Sequence, residues 1–243
     1  MKTLLLIGIG TGNPDHLTGE ARKAIASAAV ILIPDKGAGK SDLADLRTQI
    51  VADIRSLDDT VRTFEMPVRD PALPYLEAVE AWHDEIACRW AEAAGGAETV
   101  ALLVWGDPSL YDSTLRIAER LIPKPEMKVI AGLTSLQLLT AAHAIPLNTL
   151  AAPVTITTGR QLRDHGWPEG AETLAVMLDG ACAFEGLEAD AFEIWWGAYV
   201  GMPEEVLIAG PLADVSTQIL QTRARERDRH GWIMDIYLLR RLS

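Results

Sequence analysis

Three short loops rich in glycine and small polar residues each follow an apolar run, and such residues commonly bind small ligands. The loops span residues 8–15, 106–111 and 131–135. The preceding runs have the length and composition of buried parallel strands, and in open α/β sheets ligands bind beyond the carboxyl ends of the strands. A glycine there lets a ligand lie against main-chain N–H and C=O groups. The pattern predicts a ligand site built from several loops, although each loop alone is also compatible with an ordinary turn.

The first loop, residues 8–13 (GIGTGN), has to be distinguished from two nucleotide-binding motifs. A dinucleotide fingerprint G-x-G-x-x-G needs glycine at position 13, where Asn13 stands, although Asp35 lies about where a ribose-binding acid is expected. Pro14 and Asp15 also fit poorly with a helix that begins directly at a pyrophosphate. A phosphate-binding P-loop is absent, because no Gly-Lys-Ser/Thr follows.

Strands and helices alternate along the first part of the chain, which predicts a parallel sheet of about five strands. Thr18 is the expected N-cap of the first helix, and Gly95 and Gly96 are the expected stop of the third helix. The predicted strands are 3–9, 30–33, 61–65, 99–104 and 127–130, and the predicted helices are 19–29, 41–52, 73–94, 113–121 and 135–143.

Strands follow one another more closely after Pro146, which predicts a second α/β domain with a mixed sheet. The expected domains are therefore residues 1–148 and 149–243. The charged run 223–230 is expected to be a solvated helix end. The predicted strands of the second domain are 154–158, 173–178, 192–200, 205–212 and 232–239.

The composition excludes several classes of protein. The chain has 243 residues, 49% of them apolar, and a formal net charge of −12. It can therefore build a large core, but it lacks the basic surface of a general nucleic-acid binder. No apolar run reaches the roughly 18 residues of a membrane helix, and the apolar start before Gly8 is interpreted as a strand rather than a signal peptide. Cys88 and Cys182 lack metal or redox spacing, which fits a cytoplasmic protein without a metal site.

The three loops, together with residues 157–160 (TTGR), resemble the tetrapyrrole methylase family, whose S-adenosylmethionine fold differs from the common Rossmann-type methyltransferases. Residues 8–18 (GIGTGNPDHLT) follow the family's Gly-x-Gly-Pro-Gly-Asp loop and the Pro-Asp/Glu-Leu-Leu-Thr segment after it. Residues 106–108 (GDP) match its Gly-Asp-Pro motif, and residues 131–135 (AGLTS) match its Pro-Gly-x-Ser/Thr-Ser/Ala motif. Four motifs in the family's order make the resemblance specific, and it spans the whole chain.

The chain departs from the family pattern at three positions. Thr11 and Ala131 replace prolines, and Asn13 replaces an aspartate, which leaves Asp15 as the nearest carboxylate of that loop. Other segments resemble the branch of the family that methylates C-1 of precorrin-5 and releases the acetyl group as acetate. These segments are 34–37 (PDKG), 106–114 (GDPSLYDST), 177–180 (MLDG), 195–201 (WWGAYVG) and 235–241 (DIYLLRR).

The resemblance implies that S-adenosylmethionine and a precorrin bind in a cleft between the two domains of a homodimeric enzyme. The implied cofactor-binding residues are Trp105, Gly106, Asp107 and Leu110 in one wall, Thr134 and Ser135 in another, and Met177 and Leu178 in a lid. The candidate bases for acetate release are Asp15, His16 and Asp112, and the candidate substrate-binding residues are Gly10, Thr11, Lys36 and Arg160. Lys40, Arg47 and Arg69 are further basic residues on or beside the same loops.

Simpler structural roles compete with these assignments. Asp107 could cap its own turn, Met177 and Leu178 could be core residues of a strand, and each acidic or basic residue could be a solvated surface charge. The long helix with Trp82, His83 and Trp90 is interpreted as a packing or dimer face. Two other functions also stay open: a methylase of the same fold for uroporphyrinogen, diphthamide or ribosomal RNA, the last disfavoured by the acidic charge, and a non-catalytic nucleotide-binding α/β protein.

Overall fold

A computed structural model describes residues 1–35 and 42–242 of the chain, without the side chains of residues 42 and 43. It forms two compact units, Met1–Thr134 and Ser135–Ser243. In the first unit the strands are β1 (Thr3–Gly8), β2 (Val30–Asp35), β3 (Val61–Glu65), β4 (Thr99–Val104) and β5 (Glu126–Ile130). The helices of this unit are α1 (Gly19–Ser27), α2 (Asp42–Ala52), α3 (Tyr75–Ala94) and α4 (Thr114–Ala118).

The first unit is a parallel sheet covered by helices on both faces. The strand order is β3-β2-β4-β1-β5, and every pair is parallel. Successive side chains of a strand point to opposite faces, so Leu4 and Leu6 pack with α3 and α4, whereas Leu5 and Ile7 pack with α1 and α2. Burial on both faces explains why the central strands are apolar throughout. The predicted parallel five-stranded sheet is confirmed.

Two helix ends in this unit follow the signals in the sequence. The side-chain oxygen of Thr18 accepts a hydrogen bond from the N–H of Ala21 at 3.0 Å, which caps α1. Gly95 ends α3 in the left-handed conformation with φ of 55°, where a residue without Cβ avoids a steric cost. Both predictions are confirmed. α4 is shorter than the helix expected over 113–121.

The second unit contains a mixed sheet. Its strands are β6 (Val154–Thr158), β7 (Thr173–Met177), β8 (Phe192–Ala198), β9 (Val206–Pro211) and β10 (Asp235–Arg241), and its helices are α5 (Ser135–Ala142), α6 (Gly159–His165) and α7 (Leu212–His230). The order is β6-β7-β10-β8-β9. β6 and β7 are parallel, and the other pairs are antiparallel. The predicted mixed sheet is confirmed.

The expected domain boundary after residue 148 and the division of the two compact units differ by one helix. α5 contacts β8 and β10, and Leu138 and Leu139 of this helix are buried. This packing groups α5 with the second sheet, whereas its position in the strand–helix alternation suggested the first. The boundary at 148 stays a prediction. Within residues 1–35 and 42–242, no helix combines the length and the apolar character needed to cross a membrane.

Candidate cofactor and substrate site

Three loops meet at the carboxyl edge of the first sheet. β1 lies between β4 and β5, so the loops that leave these three parallel strands start side by side. Gly10 and Gly106 form a main-chain bridge, in which the N–H of Gly106 donates to the oxygen of Gly10 at 2.7 Å and the N–H of Gly10 donates back at 3.2 Å. The convergence expected from the sequence is therefore present within this unit.

The main chains at Gly8, Gly106 and Gly132 approach too closely for side chains at Gly8 or Gly132. A Cβ on Gly8 would lie 2.5 Å from the nitrogen of Gly132, and a Cβ on Gly132 would lie 2.2 Å from the oxygen of Gly106. Both distances are far inside van der Waals contact. Glycine is required at these two positions so that the loops can pack against each other.

Gly10 and Gly106 have a different reason to be glycine. Each has a φ of +67°, a left-handed conformation that side chains rarely adopt. A Cβ on Gly106 would meet only the Cα of Thr134, at 4.0 Å, so the space beside this glycine is largely open. A ligand can therefore approach Gly106 on that side, while the N–H and the oxygen of Gly106 remain hydrogen-bonded to Gly10.

Asp107 connects two of the loops through its carboxylate. Oδ1 accepts hydrogen bonds from the N–H and the hydroxyl of Ser109, and Oδ2 accepts one from the N–H of Gly132 at 2.9 Å. Burial raises the pKa of this carboxyl, but the hydrogen bonds of Ser109 and Gly132 outweigh it and hold the pKa below its ordinary value. The carboxylate therefore caps its own turn and fixes the third loop. Direct binding of the cofactor by Asp107 stays a prediction.

Trp105 closes one side of the loop cluster. Its ring would touch a Cβ on Gly12 at 2.9 Å, and the guanidinium of Arg47 lies 5.6 Å from the ring centroid. The Nε of Arg47 donates to the main-chain oxygen of Leu103 at 3.0 Å. Burial lowers the pKa of Arg47 to about 10, and the charge of Asp112 opposes this shift. The structure therefore places a partly buried cation below the second loop.

The end of the second loop carries one strained aromatic residue and one capping acid. Tyr111 is 44% exposed and has a φ of 50°, which is uncommon for a bulky residue. Asp112 Oδ1 accepts a hydrogen bond from the N–H of Thr114 at 2.6 Å, at the start of α4. The main-chain N–H of Leu110 donates to Asp107 within the same turn.

Asp15 and His16 lie in a short 3-10 helix, Pro14–His16, directly after the glycine loop. Asn13 caps this helix with its side-chain oxygen, which accepts from the N–H of Asp15 at 2.9 Å. Asp15 is exposed and His16 is half-buried. A Cβ on Gly10 would lie 3.4 Å from the Cβ of His16. Nδ1 of His16 is buried without a hydrogen-bond partner among the residues that the structure describes.

Other predicted site residues of the first unit have different environments. Thr11 and Thr134 are buried, with 4% and 8% exposure. Arg69 lies after the edge strand β3, with its guanidinium 5.8 Å from the ring centroids of both Tyr75 and Trp82. Lys36 and Lys40 lie outside the described residues.

The second unit brings two predicted segments to one edge of its own sheet. β6 and β7 are parallel neighbours, so the loop with Leu178 and the start of α6 with Arg160 leave the same edge. Leu178 is 66% exposed with a φ of 53°, and Met177 is half-buried. Arg160 is exposed in the first turn of α6, and Ser135 begins α5.

A buried polar network next to Leu178 was not found by the sequence analysis. The carboxylate of Asp179 accepts hydrogen bonds from the N–H groups of Ala181 and Ala183 and from the hydroxyl of Tyr237. The sequence places Asp179 and Gly180 directly after β7, but it does not indicate that Tyr237 of β10 is the partner of Asp179.

The prediction of a solvated helix end over 223–230 is wrong for two of its charges. Arg223 and Glu226 are 9% and 4% exposed, and Nε of Arg223 donates to Asp235 at 2.8 Å. Burial raises the pKa of Asp235, and the charge of Arg223 opposes this rise. The partner is on the following strand, so the charged run alone could not reveal it.

The comparison with known families agrees with the motifs and their placement. Residues 3–216 match the model of the family described as Tetrapyrrole (Corrin/Porphyrin) Methylases. The chain belongs to the tetrapyrrole methylases.

A relative found by sequence and a relative found by structure both agree with the family assignment. The chain is 47% identical to the precorrin-6A synthase [deacetylating] of Sinorhizobium sp. over 99% of this chain and 96% of the relative. It is 38% identical to the structure of a putative cobalamin synthesis related protein (CobF) from Corynebacterium diphtheriae, with a TM-score of 0.85 and complete coverage of both chains.

A more distant structure confirms the tetrapyrrole methylase fold alone. It is the uroporphyrin-III C-methyl transferase from Thermus thermophilus, complexed with S-adenyl homocysteine. This structure has a TM-score of 0.63 at 18% identity and covers 98% of this chain and 91% of the other.

Proposed function

We propose that the chain methylates C-1 of precorrin-5 with S-adenosylmethionine and releases the acetyl group as acetate, which gives precorrin-6A in cobalamin synthesis. The observation that carries this proposal is the similarity, over 99% of the chain, to a relative named precorrin-6A synthase [deacetylating]. The segments that resemble the same branch of the family, such as 177–180 and 195–201, support it independently of the loops that all members share.

The loops of the first unit suit the binding of S-adenosylmethionine. A sulfonium and an adenine need main-chain hydrogen bonds and apolar walls, and a bare carboxylate at the sulfonium would stabilise the ground state rather than the transition state. The open space beside Gly106 lets a ligand lie close to the loops, and the indole of Trp105 provides an apolar wall. The carboxylate of Asp107 is not bare, because its oxygens already accept three hydrogen bonds from the protein.

The methyl transfer itself needs little help from acids or bases. S-adenosylmethionine supplies an activated methyl group, and the electron-rich macrocycle is the nucleophile. The protein holds the two reactants in position and orientation, which can remove much of the entropy cost of a bimolecular reaction from the activation barrier. The rigid packing of the loops at Gly8 and Gly132 provides a fixed support for that alignment.

Release of acetate needs water and a proton acceptor. Water adds to the acetyl carbonyl while a side chain takes its proton. The carbon–carbon bond to the macrocycle then breaks, its electron pair stays on the conjugated ring system, and acetate leaves. Methyl transfer and acetate release together consume one water and yield two protons. Asp15, His16 and Asp112 are the proposed bases, and of these Asp112 already caps α4.

The carboxylates of a precorrin require cationic partners. Lys36 and Arg160 are the proposed ones, and Gly10 and Thr11 are proposed to contact the substrate as well. A net charge of −12 makes local positive sites necessary, because the overall field of the protein repels an anionic substrate. The homodimer and the cytoplasmic location implied by the resemblance and the cysteine pattern belong to the same proposal.

A single-turnover incubation with precorrin-5 and S-adenosylmethionine tests the reaction. Methylated product and free acetate are measured in the same sample, and we expect them in equal amounts. Methylation without acetate would contradict the deacetylating reaction and leave methylation standing. Neither product, from a protein that still binds S-adenosylhomocysteine, would contradict the substrate assignment.

Thermal unfolding separates the proposal from the non-catalytic nucleotide-binding alternative. A ligand that binds only the folded state raises the melting temperature. We expect S-adenosylhomocysteine to raise it and NAD to leave it unchanged. Stabilisation by NAD alone would favour the alternative.

A further inference from the structure

The turn after β7 holds a large apolar residue in a strained and solvent-exposed conformation. Leu178 has a φ of 53°, in the left-handed region that residues with a side chain rarely adopt. Its side chain is nevertheless 66% exposed, so burial in the core does not compensate for the strain. Strained residues persist when the surrounding structure over-determines them, and they concentrate at ligand sites.

The surrounding structure here is a buried network centred on Asp179, the next residue. Asp179 is 6% exposed. Its Oδ1 accepts from the N–H of Ala181 at 3.0 Å, and its Oδ2 accepts from the N–H of Ala183 at 2.6 Å and from the hydroxyl of Tyr237 at 2.6 Å. One carboxylate thus fixes the chain on the far side of the turn and ties it to β10.

Two further contacts make this arrangement rigid. Nη2 of Arg223 donates to the main-chain oxygen of Asp179 at 3.0 Å, while Nε of the same residue pairs with Asp235. On the other side, a Cβ on Gly159 would lie 2.2 Å from Cγ of Asp179, so α6 packs directly on the carboxylate. The network therefore determines where the main chain of Leu178 lies.

Tyr237 is suited to act as a permanent donor in this network. The residue is 1% exposed, and burial together with the charge of Asp179 raises the pKa of its hydroxyl far above the ordinary value. The phenol therefore stays protonated and keeps donating to Oδ2. Removal of the hydroxyl would take one hydrogen bond from Asp179 and leave the rest of the aromatic side chain unchanged.

We propose that Asp179 and Tyr237 are positioning residues that hold the strained turn at Leu178 in the conformation that contacts S-adenosylmethionine. The inference rests on the proposed function, in which Met177 and Leu178 contact the cofactor. Neither Asp179 nor Tyr237 touches the cofactor in this account. They act through the main chain and the side chain of Leu178.

The chain offers a matched pair of variants for the test. Tyr237→Phe removes the hydroxyl that donates to Asp179, and Tyr199→Phe removes a hydroxyl that donates to the main-chain oxygen of Trp232 at 2.6 Å. Both tyrosines are almost fully buried, with 1% and 2% exposure. Similar losses of melting temperature are expected, so stability alone does not distinguish the two positions.

Binding of S-adenosylhomocysteine, measured by calorimetry, distinguishes them. We expect Kd to rise about tenfold, which is 1.4 kcal/mol, in Tyr237→Phe and to change less than about twofold in Tyr199→Phe. In steady-state assays the KM for S-adenosylmethionine should rise in Tyr237→Phe while kcat is retained. Equal changes of Kd in both variants, or none in Tyr237→Phe, would overturn the inference.

A second variant tests the turn without removing the network. Asparagine tolerates the left-handed conformation better than leucine, so Leu178→Asn should keep or raise the melting temperature and still weaken binding of S-adenosylhomocysteine several-fold. Unchanged binding in this variant would also overturn the inference. If the wild-type protein itself does not bind S-adenosylhomocysteine, the proposed function fails instead.

Discussion

Asp107 gives the clearest prediction at the scale of single residues, because its carboxylate is shared between two loops. In Asp107→Asn the amide can accept on only one of its two atoms, so either Ser109 or Gly132 loses its acceptor. An unsatisfied donor costs about 1–3 kcal/mol, and we expect urea unfolding to report a loss of that size. Ser109→Ala, which removes only the hydroxyl, should cost less. Equal costs in the two variants would contradict the shared role.

The pH dependence of the same residue has a definite sign. The pKa of Asp107 lies below its ordinary value of 3.8, so the folded state favours the ionised carboxyl. Its contribution to the free energy of unfolding is complete above that value and is lost as the pH falls through the lower pKa of the folded state. The stability difference between wild type and Asp107→Asn should therefore shrink below pH 3.8. A constant difference would contradict this account.

His83 is a buried residue whose unpaired imidazole is expected to lower the stability of the fold. It is 3% exposed, and neither ring nitrogen has a hydrogen-bond partner within the described ranges. Burial, and next the charge of Arg120, lower its pKa from 6.5, so the unfolded state binds more protons and stability falls as the pH drops below 6.5. His83→Leu should raise the melting temperature and weaken this pH dependence. The exposed His165→Gln is the control, and an unchanged pH dependence in His83→Leu would contradict the prediction.

The contact between loops is a property of elements rather than of residues. In Gly132→Ala the new Cβ would lie 2.2 Å from the oxygen of Gly106, so the loops after β4 and β5 must separate. Overpacking of this kind costs about 1–3 kcal/mol or more, and binding of S-adenosylhomocysteine should be lost with it. Gly19→Ala, with nothing within 4 Å of its Cβ, is the matched control. Equal behaviour of the two variants would contradict the required close approach.

The elements could be predicted from local signals, but their contacts could not. Thr18 and Gly95 mark helix ends by chemistry that acts within a few residues, and the alternation of apolar segments with helices gives parallel strands. Strand order is different, because no local pattern states that β1 lies between β4 and β5. The need for glycine at positions 8 and 132 arises only from that order. Asp107 was correctly considered as a turn cap, whereas its bond to Gly132 depends on the same neighbourhood.

At the scale of the whole molecule, charge patterns were the weakest guide. The run 223–230 looks like a solvated helix end, yet Arg223 pairs with Asp235 on the next strand inside the second unit. The sequence of a charged run shows which residues carry charge but not which residues pair with them. The alternation and spacing of the apolar segments predict both sheets, and the order of the motifs predicts the family to which the chain belongs.

The central claim is that the loops after β1, β4 and β5 form the cofactor site, and hydrogen–deuterium exchange tests it most directly. Ligand binding slows exchange where it suppresses local opening. With S-adenosylhomocysteine bound, we predict slower exchange in residues 9–16, 105–112 and 131–134, and in residues 177–183 of the second unit. Protection elsewhere, such as the groove of about 430 Å³ lined by Lys23 and Lys128, with none in these loops, would contradict the account.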